Sequence, residues 1–566
     1  MRSWSAIEMR LTVCPWSVKC IFDAVQRVGV TKTHMKKADQ AASKAEFATK
    51  GSRRVAVVGA GIGGLAAAIR LACTGFAVDL YEAQTAVGGK MRQIQTVAGP
   101  VDAGPTVFTM RWAFDELVEG AGRSLDDLVQ LRPLERLARH AWTDGTQLDL
   151  YRDTERSAAE ISRVFGPNEA DGYRRFSSYA ADLYSRVEGP FLRATKPGLG
   201  SAWRAGGFSA LMRMMGVDWQ RSMWRAIGGF FAEPKLRQLF ARYATYYGSS
   251  PFAAPATLNL IADVERAGVW TLEGGIYALA DALAELARSL GVEIRLGNPV
   301  ERLLVRGGRV AGLADARGEH PYDAVVFNGA VDALASGRLG PEVAAAVPAP
   351  KGPRSLSAIT WAMATETRGF DLDFHNVFFS DDYTAEFEAL FERGTPPASP
   401  TVYVCAQDRV ASGSVDGLER LLVLSNAPAR GDESRPNEEE IERCERASFE
   451  LLARCGLQLR PEPERGGRTS PSDFERLFPA TGGALYGAAT HGPFAAFKRP
   501  TARTKLAGLY LAGGSAHPGA GVPMVSLSGQ IAADAVGEDL PSTRASSRVA
   551  TSGGTSTPSP RVASTP

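Results

Sequence analysis

The sequence predicts an α/β fold organised around a parallel sheet, and one continuous segment carries the three observations that predict it. First, residues 55–58 form an unbroken apolar run of strand length, typical of a strand that is buried on both faces. Second, a glycine-rich turn at 59–64 opens an Ala- and Leu-rich helix that runs to about Thr74. Third, residues 77–81 form another apolar run, which ends at Glu82. Strand, tight turn, helix and strand in this order predict a β-α-β unit.

The glycines of the turn each have a mechanical role. Gly59 allows a tight turn, Gly61 lets the backbone approach a pyrophosphate, and Gly64, which follows Gly63, lets the helix and the strand pack closely. The phosphates would then lie at a helix N-terminus, where free N–H groups favour anions. Glu82 lies eighteen residues after Gly64, close to the spacing of about 20 expected for an acid that binds a ribose hydroxyl. This context disfavours an ordinary glycine-rich turn and predicts a Rossmann-like dinucleotide site.

Composition excludes several other classes of protein. The chain has 566 residues, enough for more than one packed region. Its 64 Lys and Arg balance 62 Asp and Glu, so net charge gives no reason to expect a nucleic-acid partner. The six cysteines show no CxxC motif and no metal-type pairing with the six histidines. We therefore expect reduced thiols, no disulfide framework and no metal site.

The ends of the chain differ in composition from its middle. Residues 1–52 show no secretory signal and are expected to be a disordered extension, while the Ser-, Thr-, Pro- and Gly-rich residues 541–566 are expected to be a disordered tail. Residues 506–533 contain no Asp, Glu, Lys or Arg, which is long enough for a membrane span on charge alone. Their many Gly, Pro and Ser residues instead favour a strand, a loop and a helix. We expect no spanning helix.

Residues 111–270 are expected to be largely helical, and the stretch 203–231 stands out within them. It mixes Trp, Met, Phe and Leu with four arginines and contains a single acid, Asp218. Such a stretch can lie in a membrane interface, with its aromatic rings at the headgroups and its arginines near anionic lipid. It can equally be a pair of core helices whose arginines reach solvent. The sequence leaves both interpretations open.

Two later parts of the chain are expected to return to the parallel sheet. In the first, a helix begins after Gly274-Gly275 and ends at Gly291, with strands from 292, around 300–305 and at 324–327. In the second, a buried strand at 509–512 runs into Gly513-Gly514, and a helix begins near Val522-Pro523, where Pro is well tolerated in a first turn. The cofactor domain would thus be assembled from discontinuous segments around a mixed α+β substrate domain. The expected limits are 53–110, 268–335 and 505–540 for the cofactor domain, 111–267 for the helical, membrane-associating region and 336–504 for the substrate domain.

Several motifs resemble those of one flavoprotein family. The segments EAQTAVGGKMR (82–92) and VDAGPTVF (101–108) resemble FAD oxidoreductases of the amine oxidase and carotenoid desaturase superfamily. The closing motif AGGSAHPGAGVPM (512–524) resembles bacterial carotenoid desaturases. Further stretches, such as HNVFFSDDYTAEFEALF (375–391) and PTVYVCAQDR (400–409), are similar to the branch that acts on hydroxylated acyclic carotenoids, the 1-hydroxycarotenoid 3,4-desaturases or methoxyneurosporene dehydrogenases. The resemblance spans roughly residues 53–536.

This resemblance implies FAD as the cofactor, because an NAD dehydrogenase has no need of the second glycine turn. By the same resemblance, the turn wraps the pyrophosphate, the backbone of Val300 lies against the adenine, and the helix that begins at Val522 faces the O2 side of the flavin. Where more distant flavoproteins often have an acid, this chain has Gly513-Gly514, so the ribityl contact must differ. Together with the glycines of the first turn and Glu82, the implied cofactor-binding residues are Gly88, Gly89, Lys90, Arg92, Gly104, Pro105, Val300, Gly513, Gly514, Val522, Pro523 and Met524.

The resemblance also implies a reaction. The bond to be oxidised is an unactivated C–C bond next to a polyene, so hydride transfer to flavin N5 followed by proton loss is the expected course, with quinone or oxygen as electron acceptor. This chemistry requires alignment of the chain and no metal or nucleophilic triad. His517, in the closing motif, is the candidate base; its alternative role is to brace the loop.

Two further groups of residues are candidates for contact with the substrate. Asp381, Asp382 and Tyr383 are polar groups in a branch-like motif that can meet a tertiary hydroxyl or form a solvated turn. Arg111 and Trp112 can face the pocket or serve domain packing.

Rival functions remain at this stage. A phytoene-type desaturase or a carotenoid isomerase would use the same fold and FAD, and an amine oxidase is disfavoured by the closing motif. A non-catalytic isoprenoid-binding protein, like the dissociation inhibitors of prenylated GTPases, lacks an intact FAD fingerprint, whereas this chain has one. Because a carotenoid is too apolar to travel through water, we expect a cytoplasmic protein attached peripherally to the membrane surface.

Overall fold

A computed structural model describes most of the chain. The described residues are 53–195, 203, 207, 217–349, 351–409, 415, 417–433, 438–459, 466–493 and 495–540. The expected disordered ends, 1–52 and 541–566, lie outside them, as does part of the stretch 203–231 proposed for a membrane interface, at 204–206 and 208–216.

A five-stranded parallel sheet organises the cofactor-binding half of the protein. Its strands come from three separated parts of the chain, which confirms the discontinuous assembly expected from the sequence. In spatial order they are Leu509–Leu511, Ala324–Phe327, Arg54–Val58, Ala77–Tyr81 and Glu293–Arg295.

The alternation of side chains along these strands decides what covers each face of the sheet. Val55, Val57 and Val326 point to a core shared with the helices Ile62–Cys73, Tyr277–Ser289 and Val522–Asp539. Ala56, Val325 and Phe327 point the opposite way, to a core shared with a three-stranded antiparallel sheet. Its strands are Arg302–Arg306, Arg309–Asp315 and Gly318–Pro321. Both faces are therefore buried, which explains why the strands are unbroken apolar runs.

A seven-stranded mixed sheet forms the second half. One face packs on the helix Glu438–Arg454 through residues such as Phe378, Val404 and Leu451. The other face meets a layer of helices. In spatial order the strands are Gly466–Thr469, Ser357–Thr365, Glu419–Ala427, Val402–Ala406, His375–Phe378, Arg136–Ala141 and Gln147–Tyr151. Two-stranded ribbons join Gln93–Thr96 to Gly99–Asp102, Leu131–Pro133 to Trp270–Leu272, and Thr367–Arg368 to Gln458–Leu459.

The remaining helices pack on both halves of the protein. The α-helices are Trp112–Glu119, Thr154–Phe165, Pro167–Val187, Met223–Ile227, Pro234–Ala241, Leu260–Ala267, Val331–Ala335, Pro341–Ala344, Tyr383–Glu388 and Pro471–Leu477. Short 3₁₀ turns lie at Leu125–Asp127, Arg242–Tyr247, Ala256–Asn259 and Ala495–Lys498, and π-helical turns at Glu188–Leu192 and Ala389–Arg393.

The expectation that residues 111–270 are largely helical needs one correction. Residues 131–151 form three strands, and Arg136–Ala141 and Gln147–Tyr151 enter the seven-stranded sheet. Arg136–Ala141 forms an antiparallel hairpin with Gln147–Tyr151 and pairs on its other side with His375–Phe378, a distant partner that local periodicity does not reveal. Among the described residues, no helix has both the length and the apolar character needed to cross a membrane.

Candidate functional site: a dinucleotide cradle between three chain segments

The glycine-rich turn has the geometry of a phosphate-binding loop. Gly59 has a φ of +100°, a conformation that favours glycine, and its N–H donates to the carbonyl of Tyr81 over 2.7 Å. Gly61 precedes the helix Ile62–Cys73 with no side chain capping its first N–H groups. A Cβ on Gly64 would lie 1.9 Å from the carbonyl oxygen of Gly59. The turn therefore needs its glycines and leaves a helix N-terminus open for an anion.

Asn328 ties this turn to the end of the chain, and no sequence motif marked it. Its Nδ2 donates to the carbonyl of Gly59 over 3.1 Å. Its Oδ1 lies so close to Gly63 and Gly513 that a Cβ at those positions would meet it at 2.5 and 2.8 Å. Asn328 follows the strand Ala324–Phe327 directly, so the parallel sheet places it at the carboxyl edge where dinucleotides bind.

Glu82 is buried at the end of the second strand, as the spacing predicts. Its Oε2 accepts from the N–H of Ala60 at 2.6 Å, and its Oε1 accepts from the N–H of Gln84 at 2.9 Å. A carboxylate has about four lone-pair sites, so two remain for other donors such as ribose hydroxyls. The backbone of Glu82 accepts from the N–H of Asn298, and Val300, two residues later, is half-buried. Contact of Val300 with the adenine stays a prediction.

The second glycine turn closes on the first. The N–H of Gly88 donates to the carbonyl of Ala60 over 2.8 Å, and Gly89 has a positive φ of +59°. Gly104, followed by Pro105, approaches so closely that a Cβ there would lie 2.0 Å from the carbonyl of Lys90. The segments 59–64, 88–90 and 104–105 therefore form one continuous cradle. Arg92 lies apart from it, since its Nη2 donates to Thr469 over 2.7 Å and its guanidinium faces Phe474.

Two buried cations stand beside this cradle without a carboxylate partner among the described residues. The Nζ of Lys90 donates to the carbonyl of Leu485 over 2.6 Å. Arg499 donates from Nη1 to the carbonyls of Gly514 at 2.7 Å and Tyr486 at 3.1 Å. Burial, with a further contribution from the charge of Arg499, lowers the pKa of Lys90 to about 8. Buried cations that lack a carboxylate point to an anionic ligand.

The closing motif presents a second helix N-terminus. The N–H of Gly513 donates to Ser528 over 3.1 Å, and the helix Val522–Asp539 begins after Gly521 with Pro523 in its first turn. Val522, Pro523 and Met524 are all buried. Their contacts with a flavin stay a prediction, although the helix begins where the motif placed it.

His517 is held within this motif. One ring nitrogen, Nε2, lies 2.9 Å from the carbonyl of Ala194, and the ring packs edge-on against Phe191 at 5.0 Å between centroids. Burial lowers the pKa of His517 to about 4, so the ring is neutral near pH 7. Because a carbonyl only accepts, Nε2 carries the proton, and Nδ1 is left as a buried acceptor without a partner. His517 therefore braces the loop through Nε2, while its Nδ1 has no partner among the described residues.

The structure also places the five residues that the sequence suggested for contact with the substrate. Arg111 pairs with Asp115 and Asp126, and the Trp112 ring lies 4.0 Å from the guanidinium carbon of Arg193, so both serve packing between helices. Asp381 pairs with Arg454 at the surface, and Asp382 caps the helix Tyr383–Glu388 by accepting from the N–H of Ala385. Of the three polar residues 381–383, Tyr383 alone is buried, and its hydroxyl has no hydrogen-bond partner.

The chain matches the model of one family over most of its length. Residues 62–537 match flavin containing amine oxidoreductases. The chain belongs to this family. Among curated proteins it is 49% identical to a hydroxyneurosporene desaturase of Rubrivivax gelatinosus, covering 89% of this chain and 97% of the relative. It is 46% identical to a hydroxyneurosporene desaturase of Cereibacter sphaeroides, covering 86% and 98%. A crystal structure of an oxidoreductase from Methanosarcina mazei shares the fold, with a TM-score of 0.53, 16% identity and coverage of 86% and 100%.

This membership identifies the dinucleotide. The chain is an FAD-dependent oxidoreductase, and the cradle fits FAD in three respects. The glycines leave space where a Cβ would collide with the backbone. Glu82 has unused acceptor sites for the ribose hydroxyls. The buried cations of Lys90 and Arg499 can bind the negatively charged pyrophosphate. Among the described residues, no group of three or more His, Cys, Asp or Glu side chains is placed to hold a metal ion.

Proposed function

We propose that this enzyme desaturates an acyclic carotenoid, removing two hydrogens across C3–C4 of a 1-hydroxy- or 1-methoxycarotenoid. The observation that carries the proposal is the identity of 49% and 46% to two hydroxyneurosporene desaturases, which the chain matches over 97% and 98% of their lengths. A relationship this close over the whole length favours desaturation of the same class of substrate. It makes a carotenoid isomerase or a phytoene-type desaturase less consistent with the sequence.

In this proposal the protein aligns the substrate with the cofactor, excludes water from the site and provides a proton acceptor. Bound FAD would take the hydride equivalent from the substrate's C–H bond, and the second hydrogen would leave as a proton. Nδ1 of His517 is the proposed acceptor of that proton, because it lies on a neutral ring and has no partner among the described residues. Its lowered pKa makes it a weak base, but the cation left by hydride removal loses its proton readily. Around His517, the apolar side chains of Phe191, Met524 and Leu527 exclude water and suit a hydrocarbon chain.

The proposal extends to where the enzyme works. A carotenoid partitions into lipid, so we propose that the enzyme draws its substrate from a membrane surface to which it attaches peripherally, and that quinone or oxygen reoxidises the cofactor. Full activity recovered in a lipid-free fraction, with no protein in the membrane fraction, would contradict the attachment.

Pigment analysis in a carotenoid-producing bacterial host tests the activity. One culture accumulates 1-hydroxyneurosporene and a second accumulates phytoene, and both express the full chain. We expect a loss of two hydrogens and a red-shifted absorption spectrum in the first culture only. A change in the phytoene culture alone would assign the protein to the earlier desaturases. No change in either culture, with flavin bound, would contradict desaturation of both substrates.

A His517→Gln variant tests the proposed proton acceptor. It should keep its flavin and lose most of its turnover. Unchanged turnover would leave His517 with the bracing role alone.

A further inference from the structure

One face of the seven-stranded sheet carries a short row of polar side chains. His375 and Val377 are two residues apart in one strand and so point to the same face. In the neighbouring strand Cys405 lies opposite His375, and Tyr403 lies opposite Val377. The other face packs on the helix Glu438–Arg454, so this polar row faces the helical layer.

Three of these groups form a hydrogen-bonded chain that starts next to the cofactor cradle. Thr106 directly follows Gly104-Pro105, and its hydroxyl lies 2.7 Å from the hydroxyl of Tyr403. The Tyr403 hydroxyl lies 2.6 Å from Nδ1 of His375. Within the described part of the chain Nε2 of His375 has no hydrogen-bond partner, although the residue is only 4% exposed.

The relative acidity and basicity of the three groups determine which group donates in each of the two hydrogen bonds. Burial, and then the charge of Arg242, lowers the pKa of His375 to about 3, so the imidazole is neutral near pH 7. A phenol is a stronger acid than a threonine hydroxyl, and an imidazole nitrogen is a stronger base than a hydroxyl oxygen. Tyr403 therefore donates to Nδ1 of His375 and accepts from Thr106. The proton of His375 then resides on Nε2, which leaves a buried N–H donor unused.

An unused buried donor in this place needs an acceptor from outside the protein. Leaving such a group unpaired is destabilising, and most buried polar groups in native proteins have a partner. Thr106 and two neighbours of His375, namely Phe374 and Cys405, line one part of a cavity of about 180 Å³. Other parts of its wall are polar or charged and include Asp102, Arg132, Gln407 and Arg420. A hydroxyl or ether oxygen brought to Nε2 by a bound molecule would satisfy the donor.

We propose that Nε2 of His375 donates a hydrogen bond to the tertiary oxygen of the carotenoid, and that Tyr403 and Thr106 orient the imidazole for this contact. The inference rests on the proposed function and deepens it by naming the group that selects oxygenated substrates. Only a few covalent bonds separate that oxygen from the carbons to be oxidised, so the residue that binds the oxygen must lie near the cofactor. His375 is connected to the cofactor cradle through Tyr403 and Thr106. An N–H donor can form a hydrogen bond to a hydroxyl oxygen or to a methoxyl oxygen. A hydrocarbon offers it no acceptor.

The test measures substrate selection with flavin-loaded enzyme and lipid vesicles. The substrates are 1-hydroxyneurosporene, its methoxy counterpart and neurosporene, which has the same polyene without the oxygen. For each of them kcat/KM is determined with wild type, His375→Leu, Tyr403→Phe and the control Tyr151→Phe. Tyr151 belongs to the same sheet, and its hydroxyl donates to Asp149 over 3.4 Å. Flavin content reports folding for every variant.

We expect wild type to prefer both oxygenated substrates over neurosporene. His375→Leu should lower this preference at least tenfold, mainly by loss of activity on the oxygenated pair, and Tyr403→Phe should lower it less. Tyr151→Phe should match wild type. An unchanged preference in a flavin-loaded His375→Leu, or in Tyr403→Phe if His375→Leu does not fold, would overturn the assignment. Rejection of the methoxy substrate by wild type would overturn the donor role. A wild type inactive on all three substrates would instead contradict the proposed function.

Discussion

At the scale of single residues, the site depends on glycines whose hydrogen atoms face backbone oxygen. Gly64→Ala would place a methyl group 1.9 Å from the carbonyl of Gly59. The turn must then open, so we expect most of the flavin to be lost and the unfolding temperature to fall. The flavin-to-protein absorbance ratio and thermal unfolding check this. A variant that purifies with full flavin would contradict the geometry of the turn.

Lys90 gives a prediction for cofactor binding as a function of pH. Burial lowers its pKa to about 8 before an anion arrives, and a negative cofactor binds the protonated form. Affinity of the apoprotein for FAD should therefore fall as pH rises through about 8, by up to tenfold per pH unit. In Lys90→Met the affinity at pH 7 should be lower and its pH dependence flatter. Titration calorimetry at pH 7 and 9 measures both, and parallel profiles for the two proteins would contradict the role of Lys90.

At the scale of elements, the packing of two helices gives a sharp test. Gly529, in the helix Val522–Asp539, faces the helix Ile62–Cys73 so closely that a Cβ would lie 2.0 Å from the carbonyl of Gly63. Gly529→Ala must separate the helices, and we expect a loss of about 1–3 kcal/mol in the free energy of unfolding. Gly537→Ala, in the same helix, meets no atom within 4 Å and should be neutral or stabilising by up to about 1 kcal/mol. Equal denaturation midpoints for the two variants would contradict this.

The elements also mark what sequence can and cannot predict. The strand Arg54–Val58 and the helix Ile62–Cys73 were predicted within one or two residues, because an apolar run and a glycine turn act locally. Asn328 and Arg499 escaped prediction. The first acts on a carbonyl 269 residues away, and the second acts through backbone carbonyls that no side-chain pattern reveals. The strand Arg136–Ala141 was also missed: its place inside the seven-stranded sheet depends on a distant strand, although its hairpin partner Gln147–Tyr151 is local.

At the scale of the whole molecule, buried titratable groups make stability depend on pH. Burial lowers the pKa values of His140 and His375 to about 3 and of His491 and His517 to about 4, below the ordinary 6.5. Between the folded and unfolded pKa values the unfolded chain binds four protons that the folded chain does not bind, so this stability is present above pH 6.5 and is lost on acidification. Burial raises the pKa of Glu386 to about 7, which offsets one of them.

The net difference of three protons predicts a loss of about 4 kcal/mol per pH unit between about pH 6 and 5. Thermal unfolding at pH 7.5, 6.5 and 5.5 should show the midpoint falling, and Glu386→Gln should steepen the fall. A flat midpoint across this range would contradict the buried neutral histidines.

The three-part origin of the cofactor sheet also sets an order of events during synthesis. The ribosome makes the glycine turn about 450 residues before the strand Leu509–Leu511 and the helix that seals the turn. Until then the apolar face of the helix Ile62–Cys73 lacks its cover, and FAD has no complete site. A chain that ends before the strand Leu509–Leu511 should therefore not retain the cofactor, and the exposed apolar surface of the growing chain favours binding by chaperones during translation.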